Sequence, residues 1–493
     1  MATQLRRTRI IATLGPATDA PGMLRRVLEE GVDVVRLNLS HGVAAEHARR
    51  CAEARAVAAE LRREVAVLAD LQGPKIRIEE FADGAVQLEA EQVFVLDCRA
   101  DAPPGDATRV GVSYLGLWRD VKVGDVLVLD DGLVSLSVTE VSAQRVTCVV
   151  LNGGVLSSRK GLNRLGGGLT VAALSDKDRR DIRLAAEIGV DFLAVSFVKS
   201  AYDLEQARAL LREAGSNAPL VAKIERAEAI GNLAEIIEAS EAVMVARGDL
   251  GVEIGDAELP GLQKKIIREA LRRSRIVITA TQMMQSMVES PVPTRAEVLD
   301  VANAVIDGTD AVMLSQETAV GRHPDKTVAA MRRVCLGAER QFVPTEDLAP
   351  GAHRLDRTDQ AIAHAAMFLA DRVDVRAIVA LTESGATAKW LSRYRSSVPI
   401  YALSRHVTTR RRMLLYRDVH PVEFDPHGVD PAMAGREAIR HLGRLGHLAQ
   451  GDRVILTTGD HTGEPGGTNA LKLLEFGAGD ILAEIDQELA GPR

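Results

Sequence analysis

Several features that mark large classes of proteins are scarce or absent in this sequence of 493 residues. Only four cysteines occur, and their spacing matches neither a zinc-ligand pattern nor a dithiol motif. No run of about 18 uncharged apolar residues is present to span a membrane, and the amino terminus has no apolar signal-peptide core. We therefore expect a cytoplasmic protein with reduced thiols and no membrane contact.

An excess of basic residues is also absent. Lysine and arginine number 61 against 68 aspartates and glutamates, a formal net charge of −7, so nucleic acid is not an expected partner. Hydrophobic residues at 46% and charged residues at 26% are the proportions of an ordinary globular protein, which excludes disorder, collagen and coiled coil. At about 150 residues per domain, the length predicts roughly three domains.

The larger part of the chain alternates between short β-branched runs and longer stretches with helical spacing. Eight such runs occur, namely RIIATLG, VDVVRLNLS, VAVLAD, FLAVSFV, LVAKIE, AVMVARGD, IVITATQ and AVMLSQE. Strand and helix repeated eight times is the count of a closed (β/α)8 barrel, and strands that are apolar on both faces suit a parallel sheet covered by helices. The sequence therefore predicts an α/β protein built on a TIM barrel.

That count requires an insertion between the third strand and its helix. Helical periodicity is lost there, and short valine-rich runs appear with the turn signal DDG between two of them. We predict a barrel formed by residues 1–72 and 171–341, with a small antiparallel β-barrel domain over 73–170. Because the insertion leaves the carboxyl end of a barrel strand, it is placed to act as a lid over the active-site face, and a decorative insertion is the alternative.

A boundary follows the barrel. The stretch at about 342–357 contains prolines and a glycine and has little periodicity. Beyond it, the apolar runs AIVALT, IYALS and RVILTTG alternate with helical stretches, so we predict a C-terminal domain over 342–493 with an open α/β sheet.

Functional residues of a barrel enzyme lie where the strands end, and the ends of these predicted strands are polar. Alternation along the second strand places Arg36, Asn38 and Ser40 on one face. The other polar strand ends are Asp70, Lys223, Glu225, Arg247, Gly248, Asp249, Thr281, Ser315 and Glu317. One mouth of the barrel therefore collects carboxylates, a lysine, arginines and hydroxyl groups.

Two carboxylates of this set favour a metal site. Glu225 and Asp249 come from neighbouring strands and offer the oxygen ligands with which Mg²⁺ is usually held, while substrate phosphate and water complete the shell. Lys223 stands beside them and carries the charge that neutralises a transferring phosphoryl group or an enolate. An ordinary salt bridge between Lys223 and Glu225 is the alternative, but it leaves the other polar strand ends unexplained.

Anion-binding candidates occur in all three parts of the chain. Arg36 and Arg77 are expected to contact phosphate, since the guanidinium fork matches its oxygens, and Lys160 beside a glycine is a candidate for a nucleotide phosphate. In the C-terminal domain, LTESGAT follows a strand and opens a helix, which arranges hydroxyls and backbone N–H groups around an anion, with simple helix capping as the alternative. The effector-site candidates there are Thr382, Ser384, Gly385 and Thr387.

Seven longer segments are distinctive, namely RIIATLGPA, VVRLNLSHG, ADLQGPKIR, VARGDLGVEI, ITATQMMQSM, PTRAEVLDVANAVIDGTDAVMLSQETA and SRYRSSVPIYALS. On these segments the chain resembles the pyruvate kinases over nearly its whole length. The resemblance implies a barrel, a lid and an effector-binding C-terminal domain. It also implies a glycolytic homotetramer that uses Mg²⁺ or Mn²⁺ to transfer a phosphoryl group from phosphoenolpyruvate to ADP, giving pyruvate and ATP.

The resemblance further implies roles for individual residues. The implied catalytic residues are Arg36, Arg77, Lys223 and Thr281. The implied substrate-binding residues are Arg36, Lys223, Gly248, Asp249 and Thr281. The implied nucleotide-binding residues are Arg77, Lys160 and Asn38, and the implied Mg²⁺ ligands are Glu225 and Asp249. The family's potassium site matches Asn38, Ser40, Asp70 and the Leu71 carbonyl.

Lys75 stands where many members of the family have glutamate. An ammonium group beside Asn38, Ser40 and Asp70 supplies the unit positive charge that potassium otherwise provides, and two cations packed together repel. We therefore expect activity without added potassium. The segment around Glu383 matches the family's sugar-phosphate pocket only in part, so a monophosphorylated sugar or AMP is as reasonable an effector as a bisphosphate.

Two other functions stay open at this point. A Mg²⁺-dependent lyase or aldolase on the same barrel binds an enolate with similar carboxylates, but it needs neither the lid nor arginines for a phosphoryl group. A catalytically silent relative that serves as a sensor predicts gaps among the chemical positions, and the sequence has none of these gaps. The phosphotransferase is therefore the favoured reading, while the fold alone does not decide between them.

Overall fold

Eight parallel strands form a closed barrel. The computed structural model describes residues 5–341, 355, 357–394, 396–459 and 466–477, without the side chains of residues 431 and 432. The barrel strands are β1 (Arg9–Thr13), β2 (Val34–Asn38), β3 (Ala66–Asp70), β12 (Phe192–Val195), β13 (Leu220–Ile224), β14 (Ala242–Ala246), β15 (Ile276–Ala280) and β16 (Ala311–Leu314). They pair in the order β1-β16-β15-β14-β13-β12-β3-β2, so the predicted TIM barrel is confirmed.

Helices follow the strands and cover the outside of the barrel. Two of them begin with capping boxes, in which Ser175 or Thr294 and the carboxylate three residues later satisfy each other's backbone N–H groups. These helices are α1 (Met23–Glu29), α2 (Ala44–Glu60), α4 (Asp176–Glu187), α5 (Ala201–Glu213), α6 (Ala227–Gly231), α7 (Leu233–Ala239), α8 (Arg247–Ile254), α9 (Leu259–Arg272), α10 (Arg295–Asp307), α11 (Gln316–Ala319) and α12 (Pro324–Arg340). Within the described residues, no helix combines the length and apolar character that crossing a bilayer requires.

The insertion lies between β3 and α4, where the sequence places it. Its elements are β4 (Ala85–Leu88), β5 (Val93–Asp97), β6 (Arg109–Gly111), α3 (Leu117–Asp120), β7 (Val126–Leu129), β8 (Val134–Ser142), β9 (Arg145–Asn152), β10 (Gly154–Ser157) and β11 (Leu162–Arg164). One sheet has the order β11-β7-β8-β9-β5-β6, and β4 pairs separately with β10. Both sheets share one buried core, and the pair β5–β6 is parallel among antiparallel neighbours. We refer to this insertion as the lid.

The C-terminal part has the predicted open α/β sheet. Its elements are α13 (Thr358–Ala370), β17 (Ala377–Leu381), α14 (Ala386–Ser392), β18 (Ile400–Ser404), α15 (Val407–Met413), β19 (Val419–Glu423), α16 (Pro431–Arg444), β20 (Arg453–Gly459) and β21 (Thr468–Glu475). The strand order is β19-β18-β17-β20-β21, and the sequence analysis predicted neither edge strand, the parallel β19 or the antiparallel β21. Most of the predicted boundary at 342–357 lies outside the described residues.

The C-terminal sheet packs against the amino-terminal end of the barrel. Leu414 and Leu415, which follow α15, are buried in the same core as the inward-facing residues of the barrel strands. Arg393 forms an ion pair with Asp310, which immediately precedes β16, and both side chains are 1% exposed. The opposite end of the barrel, where the strands finish, is therefore left to the lid.

Candidate active site

A buried lysine lies among three oxygen acceptors at the carboxyl ends of the barrel strands. Lys223 belongs to β13 and is 8% exposed. Its Nζ donates to Ser196 Oγ at 2.6 Å and lies 3.2 Å from Asp70 Oδ1 and 2.8 Å from Glu225 Oε1. Burial opposes the charge of this ammonium, but attraction to Asp70 and Glu225 raises the pKa of Lys223 above its ordinary value. The site therefore holds a fixed cation at neutral pH.

Asp70 joins this lysine to an arginine on the next strand. Arg36 donates from Nε to Asp70 Oδ2 at 2.7 Å and from Nη1 to Thr13 Oγ1 at 3.0 Å. Burial disfavours the charge of Asp70, yet Lys223 and Arg36 together lower the pKa of its carboxyl group. One carboxylate thus orients two of the predicted site cations, as the shared mouth of the strands predicts.

Glu225 supplies the first of the two predicted metal-binding carboxylates. It is 1% exposed, and its Oε2 accepts a hydrogen bond at 2.7 Å from the backbone N–H of Phe197, a residue held at φ 55°. Burial raises the pKa of Glu225, and repulsion from Asp249 raises it further. The positive charge of Lys223 acts in the opposite direction and lowers this pKa, but the net change is a rise. Asp249 is therefore close enough to disfavour the charge of Glu225.

Lys75 does not contact the residues beside which the sequence analysis places it. Its Nζ is 2.9 Å from Asp249 Oδ1. In the described part of the chain, it forms no ion pair or hydrogen bond with Asn38, Ser40 or Asp70. The expected position beside those three residues is therefore wrong for this structure, because Lys75 pairs with a predicted metal ligand instead.

The charges around Lys75 explain this difference. Asp70 is already neutralised by Arg36 and Lys223, so Asp249 is the more attractive partner for a further ammonium. Burial opposes the charge of Lys75, and the attraction of Asp249 raises the pKa of this lysine. Each of the two metal-ligand candidates is thus held by a lysine, Glu225 by Lys223 and Asp249 by Lys75.

Thr281 and Gly248 meet at the ends of neighbouring strands, as predicted. Thr281 has φ 69°, a left-handed conformation that is uncommon for a β-branched residue. Its Oγ1 accepts a hydrogen bond from Gly248 N–H at 2.8 Å and donates one to the Ala280 carbonyl at 2.6 Å. Arg247 fixes this turn, since its Nη2 donates to the Thr281 carbonyl at 2.7 Å and its Nη1 to Asp300 at 2.6 Å.

Arg77 and Lys160 lie in the segments that connect the lid to the barrel. Arg77 Nη1 donates to the Arg159 carbonyl at 2.8 Å, and Lys160 Nζ lies 2.9 Å from Asp130 Oδ1. Among the contacts of the described residues, neither side chain reaches Lys223. The structure therefore places both predicted phosphate ligands on the lid side, bonded to lid groups.

Several of these cations lie close enough to His41 to affect its pKa. Its pKa is lowered, first by burial and then by the positive charges of Arg77, Arg36, Lys177 and Lys75. Cations that act together on one imidazole favour a ligand with several negative oxygens. The sequence reading did not single out His41, although it directly follows the polar end of the second strand.

Three predicted potassium ligands lie at the ends of β2 and β3. Asn38 Oδ1 accepts a hydrogen bond from the Ser40 backbone N–H at 3.2 Å, and the Leu71 carbonyl accepts one from the Ser196 hydroxyl at 2.7 Å. The fourth predicted ligand, Asp70, is already paired with two cations. Their roles as potassium ligands stay predictions.

Ser196 and Phe197 are site residues that the sequence reading missed. The Ser196 hydroxyl lies between Lys223 and the Leu71 carbonyl, and the Phe197 N–H binds Glu225. Both belong to the run FLAVSFV, which was read only as a strand. The serine near the end of this run could have indicated a site residue, because the other strand ends were identified from their polar residues.

The predicted effector segment lines a pocket of the C-terminal sheet. Gly385 N–H donates to Thr382 Oγ1 at 2.9 Å, and Thr387 Oγ1 is 2.6 Å from Thr468 Oγ1. Ser384 lines the same pocket. The Glu383 carboxylate is held by Arg405 at 3.3 Å and by His406 at 2.6 Å.

The strand ends offer two carboxylates whose fit to a divalent cation can be examined. No group of three His, Cys, Asp or Glu side chains that could hold a metal is found within the described residues. Glu225 and Asp249 nevertheless fit Mg²⁺, which usually takes only one or two carboxylates and completes its shell with substrate oxygens and water. Burial is the main cause of the raised pKa of Glu225, and the repulsion from Asp249 that adds to it is the part that a bound cation would relieve.

A lidded (β/α)8 barrel with fixed lysine and arginine cations beside two carboxylates defines a class of enzyme suited to phosphorylated anions. Two family models match the chain, "Pyruvate kinase, barrel domain" over residues 5–328 and "Pyruvate kinase, alpha/beta domain" over residues 360–474. The chain belongs to the pyruvate kinase family, whose members are phosphotransferase enzymes.

Named relatives resemble the chain along almost all of its length. Pyruvate kinase II of Salmonella typhimurium is 52% identical over 482 residues, which cover 96% of this chain and 99% of that protein. The pyruvate kinase of Haemophilus influenzae is 49% identical over 469 residues, covering 93% and 97% of the two chains. That of Corynebacterium glutamicum is 40% identical over 481 residues, covering 97% and 100%. The resemblance drawn from the sequence segments is thereby confirmed.

Proposed function

We propose that this protein transfers the phosphoryl group of phosphoenolpyruvate to ADP, giving pyruvate and ATP, as a step of glycolysis. The observation that carries the proposal is Lys223, an ammonium with a raised pKa that Asp70, Ser196 and Glu225 hold at the mouth of the barrel. Phosphoryl transfer depends mainly on positioning and on stabilising negative charge, and a fixed cation supplies both. The family membership of the chain supports the same reaction.

Each site residue has one task in this proposal. Lys223 stabilises the charge on the transferring group and on the enolate, and Arg36 and Arg77 bind phosphoryl oxygens through their forks. Gly248 and Thr281 bind the rest of the substrate at the turn that Arg247 fixes. The groups assigned to the nucleotide are Arg77, Asn38 and Lys160, the last exchanging Asp130 for a phosphate.

Glu225 and Asp249 are the residues that would hold Mg²⁺ or Mn²⁺. When bound, the divalent cation neutralises phosphoryl oxygens and helps to orient them. Lys75 would hold Asp249 less strongly in that state, since a carboxylate that is shared with a metal offers less charge to an ammonium group. Lys223 favours the ionised form of Glu225, which is the form that binds a metal.

The reaction is tested by following pyruvate from the purified full-length chain with phosphoenolpyruvate, ADP and Mg²⁺. We expect turnover that requires all three components. Consumption of phosphoenolpyruvate without ADP points to a lyase, and no turnover with or without AMP and ribose 5-phosphate points to a silent sensor. Either result rejects the proposed reaction.

We propose that Lys75 makes added potassium unnecessary, although it acts from a position different from the one the sequence suggested. Its ammonium supplies a positive charge within the mouth, beside Asp249 and next to the lid residue Gly161. Wild-type turnover is expected in buffer free of sodium and potassium. Lys75→Glu is expected to need potassium, because the change removes one positive charge and adds a negative one. Initial rates across a potassium titration measure both.

A control variant separates this effect from a general loss of lid charge. Lys122→Glu makes the same charge change on an exposed part of the lid and is expected to stay independent of potassium. Background turnover of the wild type without potassium, restored when potassium is added, contradicts the role given to Lys75. Potassium independence of Lys75→Glu contradicts it equally.

We also propose that AMP or a monophosphorylated sugar activates the enzyme at the pocket lined by Thr382, Ser384 and Thr387, with Gly385 between the last two. Backbone N–H groups and hydroxyls there suit one phosphate, and Glu383, although paired with Arg405 and His406, disfavours a second anionic group. Activation in rate assays, lost in Ser384→Asp, is the expected result.

Two structural assignments accompany this proposal. The separate cores of the lid and of the C-terminal sheet support the division into 1–72 with 171–341, 73–170 and 342–493, although Leu414 and Leu415 join the barrel core. A homotetramer is supported by α10, which leaves Leu299 and Ile306, seven residues apart, 66% and 46% exposed. The molar mass in solution tests the second assignment.

A further inference from the structure

A partly buried lysine of the C-terminal domain has no use in the proposed reaction. Lys389 lies in the last turn of α14, and its Nζ is 4.8 Å from the centroid of the Trp390 ring. Within the described ranges of the chain, it forms neither an ion pair nor a hydrogen bond. The effector pocket around Thr382 does not include it. The chemistry of this amine therefore depends on the charges around it.

Two arginines lie beside Lys389. Arg393 follows it by four residues at the end of α14, a spacing that places both side chains on one face of the helix. Arg393 Nη1 also donates to the Arg275 carbonyl at 2.8 Å, which brings the turn before β15 to the same place. Three positively charged side chains, two from the C-terminal domain and one from the barrel, therefore meet here.

The arginine from the barrel can still accept an acidic partner. Arg275 Nη2 donates to the Glu238 carbonyl at 2.7 Å, but its buried Nε has no hydrogen-bond partner. In the part of the chain that the structure describes, Arg275 forms no ion pair, whereas Arg393 is paired with Asp310. A negative group next to Lys389 would therefore lie near a guanidinium whose charge is not neutralised.

The one carboxylate that acts on Lys389 among the described residues is engaged elsewhere. Glu241 lies 3.2 Å from Arg208 Nη1 and accepts a hydrogen bond from the Leu220 backbone N–H at 2.7 Å. A further cation near Lys389 is Arg357. The surroundings of this lysine are thus positive, which disfavours its own positive charge.

This environment favours the neutral amine. Burial and repulsion from Arg275 and Arg393 lower the pKa of Lys389 to about 8. Arg357 adds to this effect, and Glu241 opposes it. At pH 7 about one tenth of such amines are uncharged, against fewer than about one in a thousand for an ordinary lysine. The uncharged amine is the nucleophilic form.

Other buried lysines of the protein have the opposite environment. Lys223 and Lys75 each lie against a carboxylate, and these carboxylates raise the pKa of both amines. Their lone pairs are therefore occupied by protons at neutral pH. A reagent that attacks free amines is thus expected to select Lys389 over the lysines of the proposed active site.

We propose that Lys389 is a modification site that reacts reversibly with dissolved carbon dioxide to form a carbamate. The Nζ lone pair forms a bond to the carbon of CO₂, one C–O π pair moves onto oxygen, and the proton released from nitrogen goes to water or a buffer base. No oxidant or reductant is needed. The product replaces a cation that its neighbours repel with an anion that the guanidinium groups attract. The proposal does not depend on the proposed reaction.

Chemical trapping tests the proposal on the full-length protein. The protein is equilibrated at neutral pH with isotopically labelled bicarbonate and CO₂, carbamates are ethylated with triethyloxonium ion, and the peptides are analysed by mass spectrometry. We expect a labelled adduct on Lys389 and about one tenth as much or less on Lys326, an exposed lysine of α12. Lys389→Met is expected to lose the adduct. At a fixed concentration of dissolved CO₂, the adduct is expected to increase as the pH rises towards about 8.

A second variant tests the part played by the cations. Arg275→Met removes a charge that repels the ammonium and attracts the carbamate, so the Lys389 adduct is expected to fall by about threefold or more. Arg212→Met removes an exposed arginine of α5 that is not among the charges acting on Lys389, and it is expected to change the adduct by less than about twofold. Melting curves confirm that each variant folds.

Three results would overturn the proposal. The first is the absence of a labelled adduct on Lys389 in the folded wild type. The second is equal labelling of Lys326, which would show that any exposed amine reacts. The third is an undiminished adduct in folded Arg275→Met, because the cations around Lys389 would then have no part in forming the carbamate.

Discussion

Lys223→Met is expected to lower kcat for pyruvate formation by roughly 10²–10³-fold or more, the loss seen when one preorganised charge-stabilising group is removed. The ammonium is buried between Asp70 and Glu225, so water cannot replace its charge without loosening the site. Because the charge matters most in the transition state, kcat is expected to change more than KM. Steady-state rates with phosphoenolpyruvate and ADP at saturating Mg²⁺ measure both constants.

Two further variants show whether the loss is chemical. Lys264→Met removes a more exposed lysine that is paired with Asp307, and its kcat is expected to stay within about twofold of the wild type. Lys223→Arg retains the charge and is expected to recover part of the rate. Since Lys223→Met also leaves Glu225 without its ion pair and Asp70 with Arg36 alone, the melting temperature of the variant is recorded. A loss below tenfold in a folded Lys223→Met protein rejects the assigned role.

Arg393→Met is expected to reduce the free energy of unfolding by about 3–5 kcal/mol, the usual effect of removing one partner from a buried ion pair. Arg393 joins α14 of the C-terminal domain to Asp310 at the base of the barrel and also donates to the Arg275 carbonyl at 2.8 Å. Without it, the Asp310 carboxylate keeps its hydrogen bonds from the Val277 and Arg417 backbone N–H groups but loses its buried ion pair. Urea unfolding followed through Trp390, three residues from Arg393, reports this change.

Burial is what makes this pair important, and an exposed pair provides the comparison. Arg322 and Glu289 lie 2.9 Å apart with side chains 72% and 68% exposed, so Arg322→Met is expected to change stability by less than about 1 kcal/mol. The double variant Arg393→Met with Asp310→Leu is expected to recover much of the loss, since no lone charge remains. A loss under 1 kcal/mol for Arg393→Met shows that the pair does not hold the domains together.

The barrel could be predicted because its strands are buried on both faces. The run AVMVA of β14 is fully buried, and such continuous apolar runs are easy to recognise between helical stretches. The edge strand β21 was missed because many of its residues are partly or fully exposed, so TNALKLLE has no continuous apolar run. Whether a strand could be predicted from the sequence therefore depended on how fully its residues are buried.

The sequence predicted which residues belong to the candidate site better than it predicted the contacts between them. The strands of a parallel barrel all end at one mouth. The sequence alone therefore allowed four residues to be grouped there, namely Arg36, Asp70, Lys223 and Glu225. Ser196 was not predicted as a site residue, because only the apolar residues of its strand were considered. The partner of Lys75 was also wrong, since the argument considered Asn38, Ser40 and Asp70 without knowing that Asp70 was already neutralised.

By itself, the sequence determined the order of strands and helices, the place of the insertion and the polar residues that share the mouth of the barrel. These follow from local periodicity and from the rule that barrel strands run in one direction. Only the tertiary structure decided which charges pair. Lys75 meets Asp249 across 174 positions of sequence and Arg410 meets Glu64 across 346. Coulombic attraction depends on distances of a few ångströms, and only the folded chain sets distances between residues so far apart.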